Sequence, residues 1–278
     1  MGAKFFGQFL LEKALISKSQ LLLALDVQRE CNPTIGALAV DQGYLTEYQA
    51  HQINIDQQRF DKRFGDLAVE KGFLNRGQVD KLFSLQSSRR RYFGEILVEQ
   101  GVLDSDTVKR ELALHAEENA VVVDSYNATI EAHVHAALVR QSVDTLTRLF
   151  LRVLKANVQV SQVVSALPES NERTVWHQQY HMPSPVRIGW TMNRDVAATV
   201  STAFLGTDLS DNDAVRNDSV AEFLNIVLGH IAAGYATQSE LSHLDPPVFQ
   251  DAVAFNANAD SLFIDMSSTF GDFTLLVS

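Results

Sequence analysis

Residues 217–238 read NDSVAEFLNIVLGHIAAGYATQ, and a rotation of about 100° per residue sorts them onto two faces of one helix. Val220, Phe223, Leu224, Val227, Leu228 and Ile231 fall together as a wide apolar stripe that needs a core to cover it. Opposite them lie Asp218, Glu222, Asn225, Gly229, Ala232, Ala233 and Ala236, a face stripped to small residues around a carboxylate and a carboxamide. Such a Glu/Asn pair is common on solvated helices, and Gly229 with Ala233 could equally admit another helix of the same domain. A small face also suits a second molecule that must come close.

The flanking sequence supplies the partner for the apolar stripe. Val186 to Met192 and Val196 to Phe204 read as extended runs joined by Asn193, Arg194 and Asp195, which is hairpin chemistry. Val248 to Phe255, Ser261 to Ser267 and Thr274 to Ser278 read as further strands. Upstream, apolar residues at helical intervals from Ser125 to Lys155 predict one long helix or two abutting ones. The expected architecture of this half is α+β, an antiparallel sheet packed with long helices. His177 and His181 have the spacing of a helical metal pair, but Pro183 follows and no carboxylate motif accompanies them, so they read as structural or surface histidines. His133 and His135 point to different helix faces, and no metal site is assigned.

The first half is built on a repeat. The strings FGQFLLEKALISKSQL from Phe6, IGALAVDQGYLTEYQA from Ile35, FGDLAVEKGFLNRGQV from Phe64 and FGEILVEQGVLDSDTV from Phe93 place Gly7, Gly36, Gly65 and Gly94 at a constant interval of 29 residues. Each copy predicts a short amphipathic helix, a tight reversal at Gly43, Gly72 or Gly101, and a second helix opened by Ser17, Thr46, Asn75 or Asp104, residue types that cap free helix amides. The first copy has Ala14 at the reversal, which predicts a different turn there. This half is expected to be all-α, helical hairpins that bury their apolar faces against one another. The rhythm stops near Glu117 without a Pro- or Gly-rich linker, giving expected domains of residues 1–117 and 118–278.

Composition narrows the function. A net charge of −11 argues against a nucleic-acid partner, because phosphate backbones are gripped by clustered Lys and Arg. The single Cys31 rules out an intramolecular disulfide and zinc sites built on paired cysteines, and fits a reducing compartment. The stretch MGAKFFGQFLLEK lacks a long apolar core with a small-residue cleavage site, Phe6 stands where a myristoylation signal wants Ser or Thr, and no uncharged apolar run is long enough to span a membrane, so neither secretion nor lipid anchoring is expected and a cytoplasmic location is.

The string DSVAEFLNIVLG from Asp218 resembles the signature of the bacterial CheC, CheX and FliY phosphatase family, whose core is Glu, two residues, then Asn. The likeness extends over roughly residues 122 to 278, and CheX, with one such site, is the nearer match, since the ESNE string at Glu169 has Glu172 where Asn is required. The resemblance implies a protein-aspartyl-phosphate phosphatase of chemotaxis or two-component signalling, acting on a CheY-like receiver that carries the divalent metal, Mg²⁺, itself. It implies that Asn225 orients the attacking water, that Glu222 pairs with the receiver's Lys, that Asp218 and Gly229 extend the docking edge, and that the chain forms a homodimer with no cofactor of its own.

Residues 4 to 115 resemble the MshEN family, the helical domain at the amino terminus of some type II secretion and pilus ATPases, in which two repeats make one unit. This implies two tandem units, and a cyclic di-GMP site through Arg63, Gly65, Gln78 and Gln86 of the third repeat. The position of Arg63 is Phe5, Thr34 or Tyr92 in the other copies, and none of these offers a guanidinium plane. The alternative is a non-enzymatic signalling adaptor whose repeats bind a protein partner or cyclic di-GMP.

Overall fold

The computed structural model describes residues 2–167, 172–181, 185–208, 211–235 and 243–278. The chain divides into two compact units, Lys4–Asn119 and Ala120–Ser278, the latter joined by the N-terminal residues up to Ala3.

The N-terminal unit consists of α1 (Phe6–Glu12), α2 (Lys18–Cys31), α3 (Ile35–Asp41), α4 (Glu47–Phe60), α5 (Phe64–Glu70), α6 (Arg76–Arg89), α7 (Phe93–Glu99) and the start of α8 (Ser105–Glu131). The three longer helices α2, α4 and α6 open on full capping boxes, Ser17 with Gln20, Thr46 with Gln49 and Asn75 with Gln78. The repeat glycines have a packing reason. A Cβ on Gly7, Gly65 or Gly94 would come within 2.8 Å of Leu21, Val79 or Val108 respectively, always the side chain fourteen positions on in the second helix. In the second repeat that position is Ala50, and Gly36 instead faces the Phe64 ring.

Two expectations are corrected here. Ala14 takes a φ of 54°, beside 66°, 70° and 68° at Gly43, Gly72 and Gly101, so the first repeat makes the same left-handed turn with an alanine. The repeats also do not pair in tandem. One core joins the second and third repeats around Leu38, Ile53, Leu67 and Leu82, and another joins the first and fourth around Phe9, Leu10, Ile96 and Leu97. The pairing is nested because α4 packs on α5 while α2 packs on α7.

The second unit is α+β. It contains α9 (Ala136–Leu149), which continues as a π-helical turn over Phe150–Leu154, then β1 (Val158–Val164), β2 (Arg173–His181), β3 (Val186–Asn193), α10 (Arg194–Leu205), α11 (Asp213–Tyr235), β4 (His243–Leu244), β5 (Val248–Asp251), β6 (Leu262–Ser268) and β7 (Gly271–Val277). The antiparallel sheet runs β1-β6-β7-β3-β2, and the outer edge of β2 pairs with β4 at one end and β5 at the other. Helices α9, α10 and α11 lie on one face, where Trp176, Tyr180, Ile188, Trp190, Met266 and Leu275 meet Leu146, Phe150, Val200, Phe223 and Leu228. Of the two readings for Ser125 to Lys155, the structure has the pair of helices, the end of α8 and then α9, with the break between Glu131 and Ala136.

The predicted hairpin after Val186 is not present. Residues 194–205 form α10, capped by the Asn193 side chain, which accepts from the Val196 amide at 2.9 Å. Its β-branched residues mimic a strand, but Val196, Ala197 and Val200 are buried on one helical face, and tertiary packing overrides the local preference. The hairpin partner of β3 is the preceding β2, in register from Arg173 opposite Asn193 to Tyr180 opposite Val186.

Candidate functional site

Helix α11 is fixed from its buried side. Asn212 caps its first turn, the Trp176 indole donates to the Asn217 carbonyl at 3.1 Å, Ser219 bonds Ser201 of α10 at 2.7 Å, and the Gln141 amide donates to the Ile231 carbonyl at 2.9 Å. All six residues of the apolar stripe are buried, each no more than 1% exposed. The opposite stripe, Asp218, Glu222, Asn225, Gly229 and Ala233, is exposed, with Ala232 partly buried beside it. Ala236 and Glu169 lie outside the described residues.

Gly229 separates the two explanations of the small-residue face. Among the described residues, a Cβ placed there would meet nothing within 4 Å, so none of the described helices needs the glycine for its own packing. Glycine in a helix interior costs about 1 kcal/mol relative to alanine. That cost has no counterpart in contacts among the described residues.

Asn225 has a tether that the sequence did not point to. Its Oδ1 accepts from the Nε2 of Gln178 at 3.0 Å, and the same Nε2 donates to the Asp245 carbonyl at 2.8 Å. Gln178 sits on β2 between Trp176 and Tyr180, on the helix-facing side of the sheet, and is only 1% exposed. A glutamine at an apolar register position is costly unless bonded, and its Oε1 is buried without a partner among the described residues. One of the two lone pairs on Asn225 Oδ1 is thereby occupied, while the other and the amide NH₂ remain available at the surface. The signal for Gln178 in the sequence was its place in the alternation TVWHQQY, legible only once β2 is known.

A cleft of about 630 Å³ opens near the start of α11, lined by Arg173, Arg194, Arg216, Asp195, Asp213 and Asp251 among others. Three of its charges satisfy one another: Asp213 pairs with Arg216 at 2.7 Å and Arg194 at 2.9 Å. The Arg216 hydrogen bond, then its charge, holds the Asp213 carboxyl below the usual range. Glu222 and Asn225 do not line this cleft.

His177 and His181 lie on β2, not on a helix, where four positions span about 13 Å, too far for one ion. The His177 ring meets Phe255 edge-on, and burial, then the Arg187 charge, holds its pKa below the usual value, as suits a neutral structural histidine. His133 bonds the Asp260 carbonyl at 2.8 Å.

Among the residues proposed for a nucleotide, three serve the hairpins themselves. Gly65 receives Val79, Gln78 completes a capping box with Asn75, and Gln86 donates to the Pro33 carbonyl at 2.9 Å. Arg63 is exposed at the start of α5.

No family model matches the chain, and no curated protein matches it. Among solved structures, a chemotaxis protein CheX from Desulfovibrio desulfuricans is similar at 16% identity and a TM-score of 0.43, over 51% of this chain and 98% of that one. CheX from Vibrio vulnificus is similar at 14% identity and a TM-score of 0.43, over 51% and 97%. A CheX–CheY–BeF₃–Mg²⁺ complex from Borrelia burgdorferi gives 15% and 0.40, over 50% and 95%. These similarities concern the C-terminal half and do not by themselves define an activity for this chain. Among the described residues, no helix is long and apolar enough to cross a membrane.

Proposed function

We propose that the C-terminal unit dephosphorylates the phosphoaspartate of a CheY-like receiver domain, with Asn225 orienting the attacking water and Glu222 pairing with the receiver's Lys. The observation that carries this reading is the exposed stripe of α11, where a tethered carboxamide and a carboxylate stand one turn apart on a face cleared of bulky side chains.

The chemistry asks little of the phosphatase. An acyl phosphate on a receiver already has a divalent metal and a Lys against its phosphoryl oxygens, and what it lacks is a water held in line. The free lone pair of Asn225 Oδ1 accepts one water proton and so turns the oxygen's own lone pair toward phosphorus. The new P–O bond forms as the anhydride P–O bond breaks, the aspartate leaves as carboxylate, and the surplus proton passes to solvent or phosphate. A neutral amide does this without adding charge to an anionic site. Asp218 extends the acidic edge, and Gly229 lets the receiver's backbone approach the helix. The receiver brings the Mg²⁺, and the reading assigns no cofactor to this chain.

The test is to mix the purified full chain with phosphorylated receivers and Mg²⁺ and follow loss of the phosphoryl group. Acceleration of at least about tenfold over spontaneous hydrolysis of one receiver is expected. No acceleration of any receiver encoded alongside this protein would overturn the proposal.

A further inference from the structure

A second cluster of ligating groups lies at the outer edge of β2. Strand β4 pairs antiparallel with β2, His243 directly opposite His181, and two residues further along the chain comes Asp245, whose amide donates to the Gln179 carbonyl at 3.0 Å. Directly opposed residues of an antiparallel pair point to the same face, as do positions two apart on an extended strand. His181, His243 and Asp245 therefore converge. His181 Nε2 stands 3.0 Å from Asp245 Oδ2, His243 Nε2 stands 3.6 Å from Oδ1, and one ligand atom from each residue lies within 4.8 Å of the others. The two imidazole rings stack with centroids 4.1 Å apart.

The His–Asp separations are those of a metal site, and one ring of the nearly parallel stacked pair would turn out of the stack so that both nitrogen lone pairs meet on one ion. Zinc bonds nitrogen and carboxylate oxygen at about 2.0–2.2 Å, so neighbouring ligands around a tetrahedral ion stand roughly 3.3 Å apart. The two His–Asp separations bracket that spacing. Two imidazoles and one carboxylate suit Zn²⁺ and its first-row neighbours, whereas Ca²⁺ and Mg²⁺ prefer oxygen donors throughout. The side chains are 39%, 67% and 46% exposed, so an ion can enter from solvent and three protein ligands would leave a position open. The other histidines of this unit discussed above do not converge in this way: His177 is packed on Phe255 and His133 is bonded to a carbonyl.

We propose that His181, His243 and Asp245 form a binding site for a transition-metal dication of the Zn²⁺ class, which clips β4 to β2. The site uses neither Glu222 nor Asn225, and its one link to them is the Asp245 carbonyl, which accepts from the Gln178 amide that also holds Asn225. The test titrates the full chain, freed of any affinity tag, with Zn²⁺ against a chromophoric chelator and with Co²⁺ by visible absorption. The wild type is compared with His243→Ala and Asp245→Ala, and His133→Ala serves as control. One ion per chain is expected at micromolar affinity or tighter, with the absorption of four- or five-coordinate cobalt. Each ligand variant should weaken binding at least about tenfold while His133→Ala leaves it unchanged. Zn²⁺ should raise the melting temperature of the wild type but not of the ligand variants, whose metal-free melts check that they fold. Affinity weaker than about 1 mM, or binding equal in wild type and both ligand variants, overturns the proposal.

Discussion

At the scale of single residues, the proposed chemistry depends on how Asn225 is held. Gln178 reaches it from beneath, so a buried side chain of the sheet sets the orientation of an exposed one on the helix. Replacing Gln178 by Leu removes that tether together with a buried unpartnered oxygen, and the two changes oppose each other in stability. The expected outcome is a melting temperature near wild type and kcat for receiver dephosphorylation lowered about tenfold, with KM little changed. An unchanged kcat would leave Gln178 a packing residue only. Gly229 offers a complementary probe, since its Cβ direction is open. Gly229→Ala is predicted to stabilise the protein by about 0.5–1 kcal/mol in chemical denaturation while raising KM for the receiver. If KM does not move, the stripe is not where the receiver docks. Of these residues, Glu222, Asn225 and Gly229 were legible in the sequence because one helical period displays them together. Gln178 was not, because its role depends on a strand that comes beneath α11 only in the folded chain.

At the scale of elements, a strong period of one kind was read correctly and a mixed signal was not. The apolar residues of α11 repeat every three to four positions, and all six are buried. The run Val196 to Phe204 is rich in Val, Thr and Ala, fits either element locally, and becomes α10 because Asn193 caps it and three of its residues meet the core. Strand β2 went unread because His177, Gln178, Gln179 and His181 interrupt the apolar alternation. The repeat hairpins were legible except for the turn at Ala14, yet their nested pairing was not, since four similar apolar faces do not announce which will meet. Ala14 allows a test at this scale. An alanine in the left-handed region costs about 1–2 kcal/mol, so Ala14→Gly should stabilise the N-terminal unit by about 1 kcal/mol, and Thr46→Ala should destabilise it by about the same amount through loss of a cap. Denaturant midpoints that move the other way would contradict the turn and cap assignments.

At the scale of the whole molecule, the charge arrangement predicts sensitivity to acid. Asp104 is held below the usual carboxyl range by the Thr107 amide and then its hydroxyl, Glu111 by a hydrogen bond from Lys13, and Asp213 by Arg216. A carboxyl whose folded pKa is depressed contributes stability above its unfolded value, roughly 4, and that contribution is lost as pH falls through the folded value. The melting temperature should therefore fall between neutral pH and about pH 3, and a flat or rising profile would contradict these pairings. The division into two units, each with its own buried clusters, places the proposed chemistry within residues 120–278. The most direct measurement is the rate constant for loss of phosphate from a phosphorylated receiver at saturating wild-type protein and at saturating Asn225→Ala, with receiver affinity determined for both. Asn225→Ala is expected to lower the rate by about 10² or more with affinity nearly intact. Equal rates for the two proteins would contradict it.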